Sequence, residues 1–294
     1  MKFSISVPAS SSNIGPGFDT LGLAFTLCNR FDFEISDVPG TPMIAGADNL
    51  IYRSFIHTMK NHFKDTVERG FKLNISTQIP ISSGLGSSAS CIVAGVVAAF
   101  VAAGVEPDRN EIFNISSVLE DHPDNASAAV FGGFTVSVKD SGSERYISSI
   151  HKVPDNFKFC AVMAEFRIAT DESRSKLPKE YSRNAAVYNI SHASMTVAAF
   201  LTGDYALLRH SCDDLMHQPY RFPAIPDSAS IISLCRSAGA DVVFLSGSGP
   251  TLIAVLESNP VEFADKVEES LKYFNNSWKT MILTPDHDGY KLII

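Results

Sequence analysis

The sequence predicts an α+β fold in two units, and three observations carry that prediction. In the first half, a two-residue apolar alternation runs into a glycine-serine loop and then a long helix of small apolar residues. Near residue 150 the composition turns polar and rich in turn formers. Beyond it, short apolar strands alternate with amphipathic helical stretches. A chain of 294 residues is long for one small core and comfortable for two. The expected units are 1–150 and 151–294.

In the first unit, Phe71, Leu73, Ile75, Thr77 and Ile79 alternate with polar residues, the period of a half-buried strand, and Pro80 stops it. The loop of residues 82–90, SSGLGSSAS, follows, and then CIVAGVVAAFVAAG, whose small side chains let a helix pack closely on its neighbours. The stretch Ala89 to Val105 has about the length of a membrane span. It consists of Ala, Gly, Val and Ser rather than Leu and Ile, so a buried helix is the reading. Residues Glu106 to Asn110 end it, Ile112 to Leu119 form a second helix leading into DHPDN, and Phe131 to Val138 reads as a strand. The boundary falls in Asp140 to Asn156. In the second unit, Phe157 to Ile168 is strand-like, and Asn184 to Phe200 and Tyr205 to Leu215 are helical. Strands Asp241 to Leu245 and Leu252 to Leu256 flank SGSGPT. An amphipathic helix, Val261 to Phe274, and a strand, Lys279 to Thr284, complete the unit.

Composition excludes several classes. With 45% apolar and 19% charged residues the chain is globular. A formal charge of −8, with no Lys/Arg run, argues against nucleic acid and anionic membrane as partners. Five scattered cysteines form no CxxC pair, so reduced thiols are expected. The start MKFSISVPASSS lacks a signal core, which makes the cytoplasm the expected compartment. His57 and His62 lack metal-ligand partners and read as structural.

The strongest chemical signal is Pro80-Ile-Ser-Ser-Gly-Leu-Gly-Ser-Ser-Ala89. Glycines let backbone amides approach an anion, the serines add hydroxyls, and a helix N-terminus sits beside them, which is what a triphosphate needs. The loop has no lysine, so it is not a Walker A loop. It does satisfy the loose dinucleotide pattern Gly84-x-Gly86-x-x-Ala89, which keeps an oxidoreductase as a remote alternative from a different class, behind a kinase for another small-metabolite hydroxyl. Against that reading, the preceding strand alternates instead of being continuously apolar, and no strand follows the helix.

The loop PISSGLGSSA resembles the phosphate-binding motif of the GHMP kinases, a family of ATP-dependent small-molecule kinases. Pro8-Ala-Ser-Ser-Ser-Ser-Asn-Ile-Gly-Pro-Gly-Phe-Asp19 resembles the family's first motif, and Ser246-Gly-Ser-Gly-Pro-Thr251 its third, in the right order. The resemblance runs from residue 7 to residue 256. It implies an N-terminal ATP-binding α+β domain, a C-terminal ferredoxin-like α+β domain, ATP and Mg²⁺ as cofactors, and a homodimer. The ATP site it implies comprises Pro80, Ser82, Ser83, Gly84, Leu85, Gly86, Ser87, Ser88 and Ala89; the adenine is expected near Asp48 to His62.

Finer matches point to the branch whose substrate is a small hydroxy amino acid: His122-Pro-Asp-Asn125, Thr170-x-x-x-Arg174 and His217-Gln-Pro-Tyr-Arg221. Such a substrate carries a carboxylate, an ammonium and a hydroxyl. Arg174 and Arg221 can fork onto the carboxylate, while Asp19 and Asn13 can take the ammonium or orient the hydroxyl. The resemblance adds His122, Thr170, Gly247 and Gly249 to that pocket. Where related kinases place an aspartate near the acceptor hydroxyl, this chain has Asn125, which cannot serve as an efficient general base. Asn125 is therefore expected to orient the hydroxyl. Mg²⁺ needs hard oxygen ligands, for which Glu120 and Ser88 are the candidates, with Asp121 replacing the family's usual glycine between Glu120 and His122. Asn125 and Ser88 are the expected catalytic residues.

Overall fold

The computed structural model describes residues 1–36, 49–64, 70–166 and 170–294, with the side chains of residues 36 and 170–172 outside that description. The chain opens with β1 (Lys2–Ser12) and a long β2 (Leu21–Ser36), paired antiparallel with a register shift between Pro8 and Ala9. Helix α1 (Leu50–Asn61) and strand β3 (Gly70–Ser76) follow, then α2 (Ser87–Ala102), α3 (Arg109–Glu120) and α4 (Asp124–Phe131). Strands β4 (Phe134–Lys139) and β5 (Tyr146–His151) complete this part. Strand β2 is long enough to serve two partners on one edge, β4 at residues 21–23 and β3 at residues 30–36.

Alternation decides which face of the sheet turns inward. Phe3, Ile5 and Val7 of β1 and Phe31, Phe33 and Ile35 of β2 point one way and are buried against α1 and α2. Burying one such side chain is worth roughly 1.5–3 kcal/mol, against about 1 kcal/mol net for a hydrogen bond. Helix α2 is apolar all round because it lies among α1, α3, α4 and the sheet. Gly95 is required there: a Cβ would press on the Ile51 carbonyl and the Ser54 side chain of α1.

The second unit begins with β6 (Lys158–Ala164), α5 (Thr170–Ser175), α6 (Arg183–Thr202), α7 (Tyr205–Ser211) and α8 (Gln218–Arg221). A 3₁₀ turn (Phe222–Ala224), α9 (Ser228–Ser237), β7 (Val242–Leu245), β8 (Leu252–Leu256), α10 (Pro260–Leu271) and β9 (Trp278–Leu283) follow. Read from β9, the sheet order is β9-β6-β8-β7, all antiparallel, with helices between β6 and β7 and between β8 and β9. That is the βαββαβ arrangement of a ferredoxin-like unit. One face packs on α9 and α10; the other buries Phe159, Phe244 and Val255 against Phe25 and Phe134 of the first unit and Phe200 of α6. The last strand, β10 (Lys291–Ile293), returns to pair with β1, giving the first sheet the order β10-β1-β2-β4-β5.

Several elements differ from the sequence expectation, among them β5, which lies inside the expected boundary 140–156, and α7, which ends at Ser211 rather than Leu215. Strand β3 stops at Ser76 because the amides of Gln78 and Ile79 are taken by the Asn29 side-chain oxygen, both at 3.1 Å. Phe131 ends α4 instead of starting a strand, since Gly132 and Gly133 turn the chain with φ of 75° and 72°. The sequence reading also missed α4 itself. All strand pairs among the described residues are antiparallel, so the parallel sheet of a dinucleotide fold is not what holds the glycine loop. No described helix is long and apolar enough to cross a membrane.

Candidate active site

A cleft of about 660 Å³ lies where the glycine loop, the β1–β2 turn, the start of α4 and the 246–251 loop converge. The glycine loop forms one wall. Most long helices of the fold are capped by a side chain: Asn49 caps α1, Asp108 α3, Ser182 α6, Asp204 α7 and Asn259 α10. Helix α2 is capped by Gly86 in the left-handed region, with no side-chain bond. Its first amides therefore have no side-chain cap at the wall of the cleft. Ser82, Ser83, Gly84, Gly86, Ser87 and Ser88 all line the cleft.

The glycines serve a second purpose that sequence reading missed. A Cβ on Gly84 would run into the Ser246 carbonyl, and one on Gly86 into the Ser10 hydroxyl. Ser246 Oγ donates to the Gly84 carbonyl at 2.6 Å, the Thr251 amide donates to the Ser83 carbonyl at 3.2 Å, and the Ser10 amide donates to the Leu85 carbonyl at 3.2 Å. The loop is therefore clamped between β1 and the 246–251 turn.

At the opposite wall, Asp19 and Arg174 form a two-pronged pair, Nη1 to Oδ2 at 3.0 Å and Nη2 to Oδ1 at 2.8 Å. Burial raises the Asp19 pKa, against the pull of that arginine. Arg221 is buried, donates from Nη1 to the Gly247 carbonyl at 3.0 Å, and has an Nε without a partner. The two guanidinium groups flank the Phe18 ring, at 5.4 and 5.3 Å from its centroid. Asn13, in the left-handed region at φ 71°, donates to the Gly247 carbonyl at 3.1 Å and accepts the Asp19 amide at 3.0 Å. It fixes the turn that carries Asp19.

Between these walls, Asn125 sits in the first turn of α4, its side chain held at both ends: Oδ1 accepts from Ser10 Oγ at 2.8 Å and Nδ2 donates to Ser12 Oγ at 3.0 Å. Asp124 beside it is buried, accepts the Asn125 amide at 2.7 Å and bonds His122 Nδ1 at 2.8 Å. Burial opposes charge on His122, yet Asp124, with Glu120 and Asp19 nearby, holds its imidazolium up to about 9. Burial pushes the Glu120 carboxyl up to about 7. Its Oε2 is buried without a partner, and Ser88 Oγ is its neighbour across the cleft. A buried unpaired carboxylate oxygen beside a hydroxyl suits a hard divalent cation. Asp121 is exposed in the left-handed region at φ 63°, the position a glycine fits, so Glu120 is the carboxylate that faces inward.

Of the expected site residues, Pro80, Leu85, Ala89 and Gly249 do not line the cleft. Leu85 and Ala89 are core residues, which is why the loop needs them. A Cβ on Gly249 would face Leu245 and Ile225, so this glycine supports the wall from behind. Thr170 opens α5, but its side chain lies outside the described residues, as does Asp48. Leu50 and Arg53 of α1 do reach the cleft, joining Ile75, Ile81, Cys91 and Ile92 at its apolar end. Phe18, Asp124 and His217 were missed; Phe18 and His217 stood inside quoted motifs with no role, and Asp124 between two named neighbours.

Residues 49–133 match the GHMP kinases N terminal domain and residues 196–272 the GHMP kinases C terminal domain. The chain is 37% identical to the homoserine kinase of Clostridium beijerinckii over 98% of both chains. It is 37% identical to that of Caldicellulosiruptor bescii, over 97% of this chain and 95% of that one. The fold is also that of the homoserine kinase crystal structure from Cytophaga hutchinsonii, at TM-score 0.86, 24% identity, and coverage of 99% and 97%. Mevalonate diphosphate decarboxylase from Staphylococcus aureus shares it at TM-score 0.74 and 13% identity, over 100% and 98% of the two chains.

Proposed function

The chain belongs to the GHMP kinase family, in its homoserine kinase branch, and from that premise we propose that it phosphorylates the side-chain hydroxyl of homoserine at the expense of ATP, a step of threonine biosynthesis. One observation carries the choice of acceptor: a carboxylate, Asp19, and two arginines, Arg174 and Arg221, converge on Phe18 at one end of the cleft, opposite the uncapped start of α2. A zwitterion with a short hydroxyl arm matches that arrangement. A neutral sugar brings no counter-charge to Arg221, and neither a sugar nor mevalonate brings an ammonium to Asp19.

In this reading the glycine loop and the first turn of α2 hold the phosphates through main-chain amides, and the apolar end formed by Leu50, Ile75, Ile81 and Ile92 takes the base. Asp19 receives the ammonium, and Arg174 and Arg221 the carboxylate. Asn125 is neutral and held by Ser10 and Ser12, so it orients the hydroxyl and takes no proton. The proton leaves late, to the phosphoryl oxygens or water, as a loose transition state permits. Glu120 and Ser88 would hold Mg²⁺, which supplies charge neutralisation on the phosphates. In-line positioning supplies much of the remaining rate.

ADP release measured across homoserine, mevalonate, galactose and shikimate tests the acceptor. Homoserine should exceed the others in kcat/KM by at least roughly 100-fold, the loss expected when charge-assisted bonds go unmade; comparable turnover of a neutral alcohol would overturn the reading. We also read the protein as a cytoplasmic homodimer. Val187, Ile190, Met195 and Leu201 stand exposed on α6, a helix without a charged residue after Arg183, and offer an apolar face for a second copy. Light scattering that returns the mass of one chain would reject the dimer.

A further inference from the structure

We infer that His217 is a positioning residue for the acceptor's carboxylate, fixing the rotation of Arg221 in the wall of the cleft. The inference rests on the reading of Arg221 as a carboxylate clamp. Arginine can only donate, so the 3.2 Å contact between Arg221 Nη1 and His217 Nδ1 makes that nitrogen an acceptor. The imidazole proton must then sit on Nε2, which donates to the Gly15 carbonyl at 2.8 Å. Both ring nitrogens are thus assigned by their partners, and the ring is neutral.

The surroundings keep it so. His217 is fully buried, and burial together with the adjacent Arg221 lowers its pKa to about 4, although Asp214 pulls the other way. The Asp214 carboxylate is occupied: it accepts the amides of Met216, His217 and Gln218 and the Asn189 side chain. Its nearer oxygen lies 3.6 Å from Nε2, beyond a hydrogen bond.

Two consequences follow from this placement. Arg221 Nη1 is held by His217 and Gly247, while Nε is buried without a partner among the described residues and would be the donor left for a ligand oxygen. The same imidazole stacks on Phe18 at 5.5 Å and holds the turn carbonyl of Gly15, so it also ties the segment bearing Asp19 to α8. A histidine that were only a satisfied core residue would influence folding but not discriminate between the two substrates.

The test is steady-state kinetics on His217→Gln, His217→Asn, Arg221→Ala and the double variant His217→Gln/Arg221→Ala. Glutamine keeps a donor for Gly15 and drops the acceptor for Arg221; the homoserine KM should rise roughly 3- to 10-fold, the value of one hydrogen bond, with the ATP KM within about twofold. Asparagine restores an acceptor at the δ position and should recover most of the loss. In the Arg221→Ala background, His217→Gln should add less than about twofold. Multiplying effects in the double variant, or equal losses for Asn and Gln, would overturn the inference. An unchanged homoserine KM in Arg221→Ala would instead remove the clamp reading itself. Should the Gln protein fail to fold, ¹⁵N shifts of the wild-type imidazole decide: a neutral ring protonated on Nε2 at pH 7 is expected, and a cation or the other tautomer refutes it.

Discussion

Under the proposed function, Asp19 and Arg174 would each be the stand-in for a group the substrate brings. The arginine would hold the place of an ammonium beside Asp19, and the aspartate that of a carboxylate beside Arg174, since the two pair with each other. A zwitterion can therefore enter by exchanging partners, with no charge left uncompensated on either side, whereas a singly charged analogue strands one of them. This separates the pair from a solvated bridge such as Lys266 to Glu262, which water and salt screen. Arg174→Ala should cost about 1.5–3 kcal/mol of transition-state binding, seen as a roughly 10- to 150-fold fall in kcat/KM for homoserine. Initial rates with varied homoserine measure it, and a value within twofold of wild type would place Arg174 outside the acceptor pocket. Asp19, Arg174 and Arg221 could be named from sequence because their segments carry a recognisable pattern. His217 could not be given a role, since its two partners, Gly15 and Arg221, are a turn carbonyl 202 residues away and a neighbour four residues on.

At the scale of the elements, the glycine loop shows how far local reading reaches. Strand, loop and buried helix were legible in order, because alternation, Gly/Ser content and a run of small apolar residues are local signals. The reason for Gly84 was not, because its neighbour Ser246 lies 162 residues further along the chain. Gly84 has φ 88°, where an L side chain is strained, and its missing Cβ points at the Ser246 carbonyl. Gly84→Ala should lose about 1–3 kcal/mol to backbone strain alone. It should also raise the ATP KM by pushing the loop off the 246–251 turn. Urea unfolding and ATP kinetics on the same protein test both halves: wild-type stability with an altered KM would mean that the loop shifts freely, and the clamp described above would not hold.

Across the whole molecule, the polar stretch 140–156 contains β5 of the first sheet, and the return of β10 to β1 left no local trace. Three residues, Lys291–Ile293, are too few to show a period, and their pairing depends on a route fixed elsewhere. Backbone bonds of Thr26 to Thr284, Asp286 to Ala24 and Gly133 to Asp286 hold that route, and Arg109, at the start of α3, adds a side-chain clip. Its guanidinium donates to the carbonyls of Val130, Asp288 and Tyr290, and lies 4.7 Å from the centre of the Tyr290 ring. One side chain thus ties the end of α4, the helix that carries Asn125, to the segment leading into the closing strand. Arg109→Ala leaves three carbonyls short of a charged donor and should cost about 2–4 kcal/mol in urea unfolding. Arg145 bonds Glu111 on the exposed side of the same helix, so Arg145→Ala should cost under about 1 kcal/mol. Equal losses for the two variants would mean that the chain closes without the clip, and that the backbone bonds to β1, β2 and Gly133 hold the last strand in place.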